Sequence, residues 1–305
     1  MDAGPTIIHL RHADIDKAKW DRRLDEINAP VYAYSFYLDQ MAPGWEALIT
    51  GDYELLMPLN ANSKYGIRYL FQPFLTPQGG IFGKQLSIEQ VTAFLGEIRR
   101  KYRFVEINLN VTNNFEVPGY RLSPNKNYVL DISPSYETLS QRFNDNLQRN
   151  LKKAAAAGLE YRRDIPFEEV LDAASGQLRQ YTRLKPGDLP RFKSLCKSLG
   201  SRNKAQALGV YREGQLLSSA IFFFHGNRAY YILAGNHPDG KSTGASHLSL
   251  SEFIREHAGK GLLLDFVGSN IPSIAFFYEC FGTTPEFYLS FKINRLPWPL
   301  NWIKR

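Results

Sequence analysis

The chain has 305 residues, enough for two domains of ordinary size. Hydrophobic residues make up 44% and charged residues 22%, which excludes a disordered or low-complexity chain. A net charge of +7 admits an anionic partner, and two cysteines exclude a disulfide framework.

The predicted elements begin with a strand over Thr6–Leu10. Asp16–Asn28 reads as an amphipathic helix, with Ile15, Trp20, Leu24 and Ile27 at helical spacing. Ser35–Met41 is a short helix capped by Ser35, and Glu46–Thr50 with Glu54–Leu59 form a hairpin turning at Gly51-Asp52. Tyr65–Lys84 is rich in aromatics, Pro and Gly without helical period, so strand plus ordered loop is expected. Ser87–Tyr102 is a helix with Ser87 as N-cap, and Phe104–Leu109 and Tyr128–Ile132 are strands.

Ser135–Ala157 has the best helical pattern in the chain, with Leu139, Phe143, Leu147 and Leu151 in register and Gly158 as its stop. Its other face carries Arg142, Arg149, Lys152 and Lys153, which offset the helix dipole or meet a bound anion. A helical block, Phe167–Leu199, is broken near Pro186-Gly187. Gln206–Arg212 and Gln215–Phe224 form a hairpin about Glu213-Gly214. Then come a strand (Tyr230–Gly235), a polar loop (His237–Ala245), a helix (Ser246–Lys260), a strand (Leu262–Val267) and a helix (Pro272–Phe281). The order hairpin, loop, helix, strand occurs in both halves, so two domains are expected, 1–132 and 133–305.

Two features of the second half carry chemistry. The loop Lys241-Ser242-Thr243-Gly244-Ala245 precedes a helix, whose unpaired first N–H groups can hold a pyrophosphate; the plainer reading is an ordinary polar turn. Asp265 interrupts an apolar strand, where a carboxylate is either paired or raised in pKa. His247 and Glu252 are further candidates for a general base. No GxSxG, GxxxxGK[ST], HExxH or metal-ligand spacing occurs, so serine hydrolysis, nucleotide hydrolysis and a bound metal are not expected. Met1–His12 has no charged segment followed by an apolar run, and no apolar stretch nears the roughly 20 residues that span a bilayer. A cytoplasmic location without a membrane span is the expectation.

The second half also resembles a known family. Tyr278-Glu279-Cys280-Phe281-Gly282 fits the Tyr-Glu-x-x-Gly signature of the GNAT acyltransferase superfamily, and Lys241–Ser246 fills the place of its Arg/Gln-x-x-Gly-x-Gly/Ala loop. Tyr136–Arg162 and Asp265-Phe266-Val267-Gly268 resemble segments of the Fem-type and related acyltransferases, which are tandem GNAT folds. The resemblance implies an α/β fold with mixed sheets and two tandem GNAT-like domains, the first degenerate. It implies an enzyme that moves an acyl group from an acyl-thioester, acyl-CoA, to an amine on a small molecule or a cell-wall precursor. On that footing Leu233, Ala234 and Gly235 lie on a splayed strand that holds the pantetheine arm of coenzyme A. Lys241, Ser242, Thr243, Gly244 and Ala245 would hold its pyrophosphate, and Tyr278 would protonate the leaving thiolate, with Asp265 the next candidate for proton transfer. Tyr278 stands where peptidoglycan-building members usually have Lys, which favours a thioester donor. The alternatives are a Fem-type transferase using aminoacyl-tRNA on a peptidoglycan precursor, and a non-catalytic tandem-GNAT binding protein.

Overall fold

The computed structural model describes residues 6–181, 184–298 and 300. The chain packs as two compact units: residues 1–125 together with 287–305, and residues 126–286. We keep a division near residue 132 as a proposal about the repeat; compactness gives the segment after Glu286 to the first unit.

The first unit opens with β1 (Ile7–Leu10), α1 (Lys17–Asp25), α2 (Ser35–Met41), β2 (Glu46–Thr50) and β3 (Leu55–Leu59). The strands form a small antiparallel sheet in the order β1-β2-β3. β4 (Ala61–Lys64), β5 (Ile67–Phe71), α3 (Ile88–Lys101) and β6 (Phe104–Asn108) follow. α3 starts at the expected capping box, where the Ser87 and Gln90 side chains each accept from the other's backbone N–H. Its Val91, Phe94, Leu95 and Ile98 enter a core with Leu70, Val105 and Ile107. Ser35, however, does not cap α2. Its N–H and hydroxyl both donate to Asp21 (2.8 and 2.6 Å), so the side chain ties α2 to α1 instead, and Tyr34 holds the N-cap position.

β7 (Leu122–Asp131) leads into the second unit. There follow α4 (Tyr136–Ser140), α5 (Asp145–Ala156), β8 (Glu160–Arg163), α6 (Phe167–Tyr181), α7 (Asp188–Gly200), β9 (Ala205–Arg212), β10 (Gln215–His225) and β11 (Arg228–Asn236). α8 (Pro238–Thr243), α9 (Ala245–His257), β12 (Leu263–Asp265) and α10 (Pro272–Glu279) complete it, and β13 (Thr284–Asn294) returns the chain to the first unit, where its residues 290–294 pair with β6. Within the second unit the strand order is β7-β12-β11-β10-β9-β8. β11 and β12 are parallel, joined by a crossover through α8 and α9; the other pairs are antiparallel. The β9–β10 turn uses Glu213 and Gly214, both at positive φ (51° and 81°), as a two-residue hairpin requires. The expected α/β class with mixed parallel and antiparallel pairing is the observed one.

Three further expectations fail locally. The single helix over 135–157 is two, α4 and α5. Asn144 is a poor helix former but a good N-cap; its side chain accepts from the Leu147 N–H (3.0 Å), and its own N–H donates to the Cys280 carbonyl (3.1 Å). The loop over 237–245 is mostly helix, because Pro238 fixes φ at the first helical position and His237 Nδ1 accepts from the Asp239 N–H. The strand over 262–267 stops at Asp265, since Val267 turns to φ 63°. Among the described residues no helix is long and apolar enough to cross a membrane.

The break before Asn144 can be tested directly. Asn144→Ala removes a cap and is expected to cost about 1 kcal/mol in chemical denaturation. Were 135–157 one helix, alanine at a mid-helix position would instead stabilise it.

Candidate functional site

The site is built where β11 and β12 part. The two strands pair only from Arg228↔Leu263 to Tyr230↔Asp265. At the next residues β11 also changes register against β10: Phe222 faces Tyr231 and Ile221 faces Leu233, leaving Ile232 as an extra residue. β12 meanwhile leaves through Val267 and Gly268, both at positive φ (63° and 80°). A β-branched residue there is a backbone outlier of the kind that collects at functional sites. From Tyr231 to Asn236 the edge of β11 on this side therefore has no ladder partner among the described residues. Strand geometry aims alternate N–H and C=O groups at that open edge.

An aromatic cluster sits beside the opening. Tyr278, only 8% exposed, packs edge-on against Tyr231 (6.2 Å between ring centres) and Tyr128 (5.9 Å), and against Phe266 (4.8 Å). The Tyr278 and Tyr231 hydroxyls make no hydrogen bond to any described residue, whereas Tyr128 donates to Glu279 (2.9 Å). Burial drives the Tyr278 pKa well above the usual phenol range, with Tyr231 and the Asp265 charge adding to it. Tyr278 is thus a neutral phenol that holds its proton tightly.

Asp265, 1% exposed, is spoken for on both oxygens. Arg228 Nη1 donates to one (3.0 Å) and the Val267 N–H to the other (2.8 Å). Burial raises its pKa; Arg228, then the Val267 and Asn127 hydrogen bonds, oppose the rise. Leu264 and Phe266 belong to the same core as Tyr278, so strand alternation places Asp265 on the opposite face from both. In this arrangement Asp265 anchors the turn that opens the site.

Of the strand residues expected to hold a donor, Leu233 is buried and Ala234 half-buried. Gly235 lies under α6: a Cβ there would stand 2.8 Å from both the Ala173 Cβ and the Ala174 N. Asn236, which follows, accepts through Oδ1 from the Ser218 and Ser246 hydroxyls (2.7 Å each), fastening the end of β11 to the start of α9.

The segment Lys241–Ala245 is not an open loop. Lys241, Ser242 and Thr243 end α8, with Thr243 bonded back to the Asp239 and Gly240 carbonyls; the Lys241 side chain lies outside the described residues. Gly244 (φ 77°) is the left-handed stop between α8 and α9, and Ala245, fully buried, begins α9. A Cβ on Gly244 would stand 2.3 Å from the Asn150 carbonyl oxygen of α5. The glycine therefore allows α5 to approach the α8–α9 corner closely. Three residues later His247 packs on Phe277 (4.9 Å) and makes no hydrogen bond to any described residue. Burial, then Lys153 of α5, bring its pKa down to about 4. Glu252 pairs with Arg255 (3.2 Å).

Tyr231, Arg228 and Asn127 are the site residues that sequence reasoning missed. Tyr231 carried a weak signal: in a strand Tyr230 and Tyr231 must face opposite ways, so one of them had to join the helix-side core. Asn127 carried none. It is fully buried, donates to Glu286 (3.3 Å) and leaves its own Oδ1 unpaired.

Residues 141–272 match a family described as an acetyltransferase (GNAT) domain. Among solved structures, FemX is similar over 98% of this chain and 99% of its own, with 14% identity and a TM-score of 0.63. The C-terminal domain of a putative lysylphosphatidylglycerol synthetase from Agrobacterium fabrum is similar over 94% of this chain and 95% of its own (12% identity, TM-score 0.54). A conserved protein of unknown function from Bacteroides thetaiotaomicron is similar over 92% and 98% (11% identity, TM-score 0.54). At these identities the likeness is one of fold. No curated protein matches the chain.

Two measurements probe the α8–α9 corner. Gly244→Ala should cost roughly 2–4 kcal/mol of unfolding free energy, the sum of a left-handed backbone and a collision. Gly158→Ala, at φ 63° with open space around it, should cost only about 1–2. Equal costs would mean that α5 does not press on Gly244. His247 titrates lower folded than unfolded, so the unfolded chain binds its proton first. Stability should fall as pH drops from about 6.5 towards 4, and His247→Phe should flatten that fall in urea titrations.

Proposed function

We propose, for a chain that over residues 141–272 belongs to the acetyltransferase (GNAT) family, transfer of an acyl group from an activated donor to an amine. One observation carries the reading: the unpaired edge of β11 opens beside two phenols whose hydroxyls have no partner among the described residues. An extended, amide-bearing donor arm laid along Tyr231–Asn236 would complete the backbone hydrogen bonds that β12 leaves unmade. The first reading of the donor is an acyl-thioester of the coenzyme A type, whose pantetheine has the amides such an edge takes.

The chemistry then asks little of the side chains. The amine nitrogen attacks the acyl carbon, the C–N bond forms and the C–S bond breaks. The developing thiolate takes the Tyr278 proton, and the proton that the amine loses returns to the Tyr278 oxygen, so that amide, free thiol and neutral phenol remain. The high Tyr278 pKa makes a free phenolate costly, so the proton moves only as sulfur develops charge. Before that moment the phenol can donate to the acyl oxygen or the sulfur without ionising.

A second reading is favoured by the contact of Gly244 with the Asn150 carbonyl. Lys241–Ala245 offers less than a phosphate loop, which suits a donor held mainly by its acyl end: an aminoacyl ester of tRNA, with a peptidoglycan precursor or another amine as acceptor. FemX and a lysylphosphatidylglycerol synthetase domain share the fold.

The two readings part on ligand-induced stabilisation. Coenzyme A at about 100 times its Kd should stabilise the protein by about 2.7 kcal/mol, seen as a rise in Tm. No rise at millimolar coenzyme A would exclude the first reading. With a confirmed thioester substrate, Tyr278→Phe should lower kcat by roughly 10²-fold or more and leave donor affinity nearly unchanged. Full turnover in that variant would remove Tyr278 from the mechanism.

A further inference from the structure

The acyl-transfer reading leaves Asn127 without a role. The residue lies on β7, two positions before Val129, which faces Asp265 in the last pair that β7 makes with β12. Strand alternation therefore puts Asn127 on the same sheet face as Asp265, and its neighbour Tyr128 on the face of Tyr278. Asn127 is fully buried. Its Nδ2 donates to Glu286 (3.3 Å), and its side chain also hydrogen-bonds to Asp265. The Oδ1 is buried and has no partner among the described residues.

The neighbours fix which way the amide points. Turned over, it would aim an acceptor oxygen at two carboxylates, so the nitrogen must face Glu286 and Asp265. Burial raises the Asp265 pKa and the Glu286 charge adds to the rise, while Arg228, the Val267 N–H and Asn127 oppose it. An NH2 group with two donors is a neutral link between two groups that repel one another. The orphaned Oδ1 costs stability, and leucine, of the same branched shape, would avoid that cost. What leucine lacks is the N–H donors. The amide is therefore explained by what its nitrogen holds.

We propose, on the footing that the edge of β11 seats the donor, that Asn127 is a positioning residue of that site: by donating to Asp265 it keeps the carboxylate on Arg228 and the Val267 N–H, and so keeps the 265–268 turn bent away from β11. Asn127 acts through Asp265 and not on the donor itself. Asp265 takes one bond from β11 (Arg228), one from its own turn (Val267) and one from β7 (Asn127), so three segments fix its position. Glu286, half-buried, orients the amide from the other side. Without the bond from β7 the carboxylate is free to pivot, and the turn with it. Val267, a β-branched residue at φ 63°, does not favour that shape by itself.

The test is amide hydrogen exchange by NMR on the full chain with isotope-labelled valine, comparing the wild type with Asn127→Leu and Asn127→Asp. Both variants keep the branched shape and remove the N–H donors, and the second adds charge beside Asp265 and Glu286. The Val267 N–H should exchange roughly tenfold faster in Asn127→Leu, the effect of one lost hydrogen bond, and faster still in Asn127→Asp. Val170 of α6 and Val210 of β9, both fully buried, should keep their wild-type rates. A rise at all three valines would mean general destabilisation, and unchanged exchange at Val267 would mean that Asn127 does not hold the turn; either result overturns the proposal. Where one variant fails to fold, the other decides. This measurement needs no ligand, so it is read separately from the donor experiment. If the wild type binds coenzyme A, Asn127→Leu should weaken that binding by a similar factor, and unchanged affinity would also overturn the proposal. A wild type that does not bind coenzyme A would remove the thioester reading, and the exchange rates alone would then decide the role of Asn127.

Discussion

Everything proposed for the second unit depends on one constraint: β11 and β12 cannot stay paired beyond Tyr230. β11 takes in an extra residue at Ile232, and β12 turns away through two left-handed residues. Either device alone would loosen a parallel pair; together they fix where it ends. The Arg228–Asp265 pair lies at that point, with Asp265 also taking the Val267 N–H. Such a pair, with Asp265 buried and Arg228 still partly exposed, contributes little net stability, because the carboxylate's loss of water offsets the attraction. What it specifies is geometry. It holds the Asp265–Gly268 turn in a conformation that Val267 would not otherwise choose, and so keeps the edge of β11 open.

Much of this was legible in the sequence because the signals are local. The capping box at Ser87–Gln90, the Glu213-Gly214 hairpin and the strand–helix–strand order after Tyr230 depend on residues within a few positions of each other. The failures involve partners distant in the chain or competing local signals. Apolar periodicity runs through 135–157, but Asn144 is drawn to the Cys280 carbonyl, 136 positions away, and caps a second helix. Pro238 and Gly244 are helix start and stop signals as much as loop residues, and the helical use prevailed. Gly244 also lies against the backbone of α5, a close approach between residues far apart in the chain that no local pattern announces. Among the site residues, Tyr278 was marked by its motif. Its partner Tyr231 was not, since nothing in a sequence states which of two adjacent tyrosines faces a helix.

The same contact bears on the charge of the chain. Arg142, Arg149, Lys152 and Lys153 form no ion pair among the described residues, and three of them lie in the helix whose Asn150 meets Gly244. Lys153 is felt by His247, whose pKa it helps depress. The positive potential at this corner therefore comes from α5 side chains as well as from the first turn of α9. An anion drawn to this corner would meet the Arg149, Lys152 and Lys153 side chains of α5 together with the positive end of α9.

The remaining question is what a phenol can do when its proton is held so firmly. A general acid is most effective when its pKa lies near that of the group it protonates, and burial moves Tyr278 away from that match. But the shift has a cause that catalysis can reverse. It arises from desolvation of the phenolate, with Tyr231 and Asp265 adding to it, and no described residue hydrogen-bonds to the Tyr278 oxygen. A leaving group or acyl oxygen placed on the open edge of β11 would supply the missing partner. The neutral hydroxyl would donate to developing negative charge in a site with little water, where such a bond is stronger than in solution. Tyr231, whose hydroxyl also has no partner among the described residues, lies 6.2 Å away ring to ring and would take part of the load. The pair is suited to stabilising charge on a transferred group, and only secondarily to giving up a proton outright.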